Sequence, residues 1–135
     1  MQWLDGELLS SVIATAAGAR PVIIIRSATG ETTGYRLMLT TSGTINLARN
    51  TSTVATVSKT ITATTLYKVR FRAQSGYVNV RVWDAAGAEP GTWDIEYVDP
   101  SPLTDFRWLL GCLADGSTAT ARSADFDDVS VTTGG

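Results

Sequence analysis

"LYKVRFRAQSGYVNVRVWD", residues 66–84, alternates apolar and polar side chains on either side of a Ser75-Gly76 turn. Alternation with a period of two marks strands, and a two-residue loop sets the hairpin register. That register opposes Phe71 to Val80 and Val69 to Val82, so these four residues take the core face. The other face carries Lys68, Arg70, Arg72 and Gln74 opposite Trp83, Arg81, Asn79 and Tyr77. It is polar, basic and aromatic together. Arg70 sits directly across from Arg81, an unfavourable pairing unless an anion lies nearby.

Moving outward, the same period fills the rest of the chain. Strands are expected at 6–14, 21–27, 34–40, 44–49, 53–62, 66–74, 77–84, 92–97, 107–114 and 119–131, the last kinked or split. β-branched residues are abundant and glycine-containing breaks recur at intervals typical of a sandwich or barrel. The alanine-rich stretch "VIATAAGA", residues 12–19, is the one place where a helix competes, and Gly18 and Pro21 cut it short. The expected architecture is all-β: one antiparallel sandwich domain over residues 1–131, with 132–135 as a linker or tail.

Composition narrows the chemistry. A chain of 135 residues holds one domain able to bury its own core. Its 11 basic and 13 acidic residues give a net charge of -2, which offers no electrostatic case for nucleic acid or an anionic membrane. The longest apolar run, "PVIIIRSA", is interrupted by Arg26 and is far too short to span a bilayer. The first residues show no basic segment or cleavage pattern of a signal peptide. With no histidine and Cys112 as the single cysteine, an internal disulfide and imidazole-based triads are excluded. Cys112, within "WLLGCLA", reads as a buried small hydrophobe.

Beyond the hairpin, "AAGAEPGTWDIEYVD", residues 85–99, places a Pro- and Gly-rich loop before a short strand. Trp93 shares a face with Ile95 and is the better core candidate, whereas Trp83 and Tyr77 are expected to be exposed. Asp94 and Glu96 lie two apart on the other face. They are candidates for a surface charge ladder that neutralises the arginines, or for the paired carboxylates of a retaining glycosidase. Asp125, Asp127 and Asp128 in "SADFDDVSV" offer hard oxygen ligands suited to a structural calcium, or else cap a strand end.

The segment from residue 66 onward, followed by "GCLADGSTATARSADFDDVSV", resembles the concanavalin A-like, laminin-G-like jelly-roll domains of tail and other virion proteins of actinobacterial phages, and of some secreted bacterial proteins. The resemblance rests on Leu66-Tyr67, Val69-Arg70-Phe71, Gly76, Val80, Arg81-Val82-Trp83, Gly87, Glu89-Pro90, Trp93, Gly111 and Phe126-Asp127-Asp128-Val129. It spans about residues 20 to 131. Such domains usually begin with a further N-terminal segment, for which "MQWLDGELLSS" leaves little room.

The resemblance implies a jelly-roll sandwich of the concanavalin A-like lectin/glucanase type, and with the strand faces and carboxylates read above it leaves three competing functions. The first is a non-catalytic carbohydrate-recognition or adhesion module on a phage virion or outside the cell, binding host cell-surface polysaccharide. Trp83, Tyr77, Asn79, Arg81 and Arg72 would form its site, and it would be displayed on an oligomer beside other virion proteins. The second is a structural or decoration module making only protein contacts. The third is a glycoside hydrolase using Asp94 and Glu96.

Overall fold

The computed structural model describes the backbone of residues 6–28, 33–105, 107–114 and 124–133. Side chains are described for these except 107–114, 124, 125, 127, 128, 132 and 133. The chain forms β1 (Gly6–Ala14), β2 (Ala19–Ser27), β3 (Tyr35–Thr40), β4 (Thr44–Arg49), β5 (Ser52–Ser58), β6 (Leu66–Gln74), β7 (Tyr77–Asp84), β8 (Ile95–Val98), β9 (Arg107–Ala114) and β10 (Ala124–Thr133). One sheet has the order β10-β1-β6-β7-β8 and the other β5-β4-β3-β2-β9, all neighbours antiparallel. The described residues contain no helix. The alanine-rich stretch ends β1 and turns at Gly18, whose φ of 87° suits glycine, so that β2 enters the opposite sheet.

The hairpin register is the expected one: Phe71 faces Val80 and Val69 faces Val82, with Ser75 at φ 54° in the turn. All four core residues are fully buried. They pack with Leu8 and Val12 of β1, Ile23 and Ile25 of β2, and Tyr35, Leu37, Ile45 and Leu47 of β3 and β4. Alternation along each strand delivers these side chains to the space between the sheets. Each large aliphatic side chain so placed contributes about 1.5–3 kcal/mol by leaving water.

Three strand boundaries move for identifiable reasons. β5 stops at Ser58 because the following segment folds inward: Ile61 is buried and the Thr62 N–H donates to the Tyr67 hydroxyl at 2.8 Å. β8 starts at Ile95 rather than residue 92, because the Asp94 carboxylate, and not a backbone carbonyl, receives the Val82 N–H at 2.8 Å. β10 continues to Thr133, so Thr132 and Thr133, expected in a tail, extend the ladder against Glu7 and Gly6. The expected irregularity in this last strand is a bulge between the pairs Leu9–Ser130 and Ser11–Asp127.

β1 lies inside its sheet, flanked by β10 and β6 of the same chain. The uncharged edge strand β5 is bulged at Val54, where Leu47 pairs with Ala55 and Ala48 with Thr53, a deformation that discourages pairing with another chain.

Candidate functional site

The outer face of the hairpin sheet assembles from the register outward. Arg70 pairs with Arg81, Arg72 with Asn79, Gln74 with Tyr77 and Lys68 with Trp83, as the sequence predicts. What neutralises the arginines differs from expectation. Asp94 and Glu96 do not form the ladder; Glu89, from the loop after β7, and Glu7 of β1 do. Glu89 takes a two-pronged contact from Arg70, Nε to Oε2 at 2.6 Å and Nη2 to Oε1 at 2.9 Å. Arg70 Nη1 also reaches Glu7 Oε1, and Arg72 Nε donates to Glu7 Oε2 at 3.0 Å. Arg81 Nε lies 2.7 Å from Glu89 Oε2, but its N–H is not aligned for a hydrogen bond, so this contact is mainly Coulombic. Arg81 Nη1 donates instead to the Pro90 carbonyl at 2.8 Å.

These contacts fold the 85–94 loop over the sheet. The hydrogen bond from Arg70 holds the Glu89 carboxyl below its ordinary range; burial opposes this, and the charges of Arg70 and Arg81 reinforce it. Glu89→Gln leaves three guanidinium groups sharing one carboxylate. Because Glu89 is partly solvated, the expected loss is modest, about 1 kcal/mol. The variant's thermal midpoint should recover as salt is added, since salt screens the remaining repulsion. A midpoint equal to wild type at low salt would show that the clamp contributes nothing.

The two tryptophans exchange their expected roles. Trp83 is only 8% exposed although its register places it on the outer face. The chain reverses directly after it, with Ala85 N–H bonded to Leu66 O and Gly87 N–H to Asp84 O, and the loop returns across that face. Trp83 is therefore no open sugar platform. Trp93, placed in the core by extrapolating the alternation from Ile95, lies outside it because β8 has not yet begun at residue 93. The guanidinium carbons of Arg81 and Arg72 stand 4.2 and 4.8 Å from its ring centroid, a double cation–π contact.

Four of the five expected site residues form a continuous surface. Tyr77 is 59% exposed, next to Gln74 on β6 and Val98, itself 60% exposed, on β8. The adjoining row runs Arg72, Asn79, Glu96. Arg81 is tied to Glu89, Pro90 and Trp93 at the inner end.

Asp94 is committed elsewhere. Both its oxygens contact Lys59 Nζ, at 3.1 and 3.2 Å, and Oδ2 also accepts the Val82 N–H. The Asp94 N–H donates to the Val80 carbonyl at 2.8 Å. Lys59 follows β5, so this pair joins the β5 edge of one sheet to the β8 edge of the other. Asp125, Asp127 and Asp128 have side chains outside the described residues, as do Cys112 and Trp108; among the described residues no three metal-ligating side chains cluster.

A second polar constellation escapes sequence reasoning. Tyr35, fully buried, donates its hydroxyl to Asp99 Oδ2 at 2.7 Å and accepts the Leu103 N–H at 3.1 Å. Arg49 Nε donates to the same carboxylate oxygen at 2.6 Å, and the Ser101 N–H to Oδ1 at 2.8 Å. Buried Arg26 donates to the carbonyls of Ser75, Leu103 and Ala73. Burial works to raise the Asp99 pKa, yet the donors Tyr35, Arg49 and Ser101 outweigh it and leave the carboxyl below its ordinary value. Burial first, then the bond to Asp99, pushes the Tyr35 hydroxyl up to about 12. This network pins the 99–103 segment between the sheets and has the character of structure. Its sequence signals are faint: an arginine in an apolar run and an aspartate before proline.

No protein-family model matches the chain, and no curated protein does. Among solved structures it is similar to the carbohydrate-binding module CBM66 from Bacillus subtilis, with a TM-score of 0.72, 15% identity, and coverage of 94% of this chain and 74% of that one. It is also similar to the galectin LEC-6 of Caenorhabditis elegans, with a TM-score of 0.60, 13% identity, and coverage of 98% and 86%. An alginate lyase aligns with a TM-score of 0.62 at 16% identity, over 98% of this chain and 64% of the enzyme. At such identities the likeness speaks to fold, and the fold is the antiparallel jelly-roll β-sandwich that carbohydrate-binding modules and galectins share.

Proposed function

We propose that the protein is a non-catalytic glycan-recognition module whose site is the open part of the outer sheet face. The observation that carries this reading is the exposed Tyr77 ring, flanked by the amides of Gln74 and Asn79 and by Arg72 on a rigid sheet. A pyranose presents an apolar face and a rim of hydroxyls, and an aromatic ring beside amide and guanidinium donors matches both. The carbohydrate-binding module and the galectins among the structural neighbours support a sugar as ligand. The resemblance to phage tail modules supports a virion setting, with host cell-surface polysaccharide as partner. There, weak single sites would be strengthened by display of several copies.

A decoration role draws on one observation, the adjacent exposed Tyr77 and Val98, which would suit a protein contact. Catalysis by Asp94 and Glu96 is disfavoured by the engagement of Asp94 with Lys59 and Val82.

Affinity electrophoresis in gels containing actinobacterial envelope polysaccharides tests the proposal. Wild type should be retarded, and Tyr77→Ala should weaken binding about tenfold, the loss of one stacking contact. Unretarded wild type on every polysaccharide, even when multimerised, would favour the decoration role.

A further inference from the structure

The outer-face cluster contains three guanidinium groups, Arg70, Arg72 and Arg81, and two carboxylates, Glu7 and Glu89. One positive charge is therefore in excess, on a protein whose net charge is -2. The contacts show where the excess resides. Arg70 is held by both acids. Arg81, its side chain 15% exposed, contacts Glu89, the Pro90 carbonyl and the Trp93 ring. Arg72 is the open end: its side chain is 36% exposed, its Nε alone meets Glu7, and its two terminal nitrogens have no hydrogen bond among the described residues. The guanidinium carbon lies over the Trp93 ring, 4.8 Å from its centroid.

Resting on the glycan reading above, we infer that the ligand is an acidic saccharide whose carboxylate is received by the terminal nitrogens of Arg72. The end-on edge of a planar guanidinium, formed by its two terminal NH2 groups, matches a carboxylate through two parallel hydrogen bonds. Asn79, directly opposite on β7, lies beside that position to bind a ring hydroxyl. The next cross-strand pair, Gln74 and Tyr77, is ~7 Å further along the strands, room for the ring of the same or a neighbouring sugar. Glu96 does not cancel the charge. Its backbone lies two strands from that of Arg72, roughly 9–10 Å away by strand spacing, its side chain is exposed to screening by solvent and salt, and no ion pair joins the two among the described residues. Lys68, on the same face of β6, adds charge of the favourable sign.

The test compares polygalacturonate and hyaluronan with their carboxyl-reduced forms by isothermal titration, with polyglutamate as a polyanion lacking sugar. Wild type should prefer at least one acidic polymer over its reduced form by about tenfold or more. Arg72→Gln should abolish the preference, and Arg72→Lys should restore part of it; thermal melts confirm that each variant is folded. Equal binding of a polymer and its reduced form overturns the inference but leaves the glycan reading standing. Equal binding of polyglutamate overturns it in favour of a generic polyanion surface. A preference that survives in Arg72→Gln removes Arg72 from the role. No binding to any of these polymers overturns the inference, while the glycan reading then stands or falls with the envelope-polysaccharide electrophoresis described above.

Discussion

Asp99→Ala should destabilise the fold by about 3 kcal/mol, chiefly by leaving buried polar groups without their acceptor, and lower the thermal midpoint by roughly 10 °C. The substitution strands the Tyr35 hydroxyl inside the sandwich, takes the carboxylate from Arg49 and frees the Ser101 N–H. Asp99→Asn keeps the shape and one acceptor, so it should cost less. Equal loss in both variants would mean that packing, not charge, holds the segment. The same carboxylate gives a pH signature. Its native pKa lies below the ordinary 3.8, so its stabilisation is complete above that value and is lost as pH falls through the native one. Tyr35 works at the other extreme. Its native pKa of about 12 exceeds the ordinary 10, so its contribution is complete below pH 10 and disappears between 10 and 12. Urea midpoints measured across pH should fall at both ends, and Asp99→Ala should flatten the acid limb.

Arg26→Met is expected to cost a similar amount, about 3 kcal/mol, despite adding an apolar side chain to an apolar strand. Three carbonyls, on Ala73, Ser75 and Leu103, lose a charged donor, and hydrogen bonds to charged groups are worth about 1.5–3 kcal/mol each before relaxation. Arg26 itself sits at φ 53° within a break in the β2–β9 ladder between Ile24 and Ser27, a conformation uncommon outside glycine that its side-chain bonds help to hold. Arg26 and Asp99 both secure the 99–103 segment, so the double variant should lose clearly less than the sum of the singles. Strict additivity in chemical denaturation would show that they act on separate elements.

These two residues also mark the limit of what a sequence discloses. The hairpin of β6 and β7 was legible to the residue, because period-two alternation and a two-residue turn leave one register that buries Val69, Phe71, Val80 and Val82. The same logic placed Arg70 opposite Arg81. It did not find Glu89, since a loop has no period and nothing local states that residues 85–94 return over the sheet. Trp83 and Trp93 depart from simple alternation for related reasons: the returning loop covers Trp83, and at Asp94 a side chain replaces the backbone in the ladder, so the period of β8 does not extend to Trp93. The Tyr35–Asp99 bond joins residues 64 apart and involves no pattern that a window could detect. Of the candidate site, Tyr77, Asn79, Arg72 and Arg81 came from strand register; the covering of Trp83 required the path of the loop.

The place of β1 bears on how the molecule is made. Its partners are β6, some 60 residues downstream, and β10, near the other end of the chain, with Gly6 against Ala73 and Thr133. On a ribosome the first strand therefore emerges long before either neighbour exists, and its apolar Leu8 and Val12 must wait. The β6–β7 hairpin closes locally, but the sheet cannot be completed until the last strand is released. Folding dominated by such distant pairings proceeds in milliseconds to seconds rather than microseconds. Through that interval the waiting strand is open to association with other chains, so yield during synthesis depends on how quickly β10 arrives as well as on final stability.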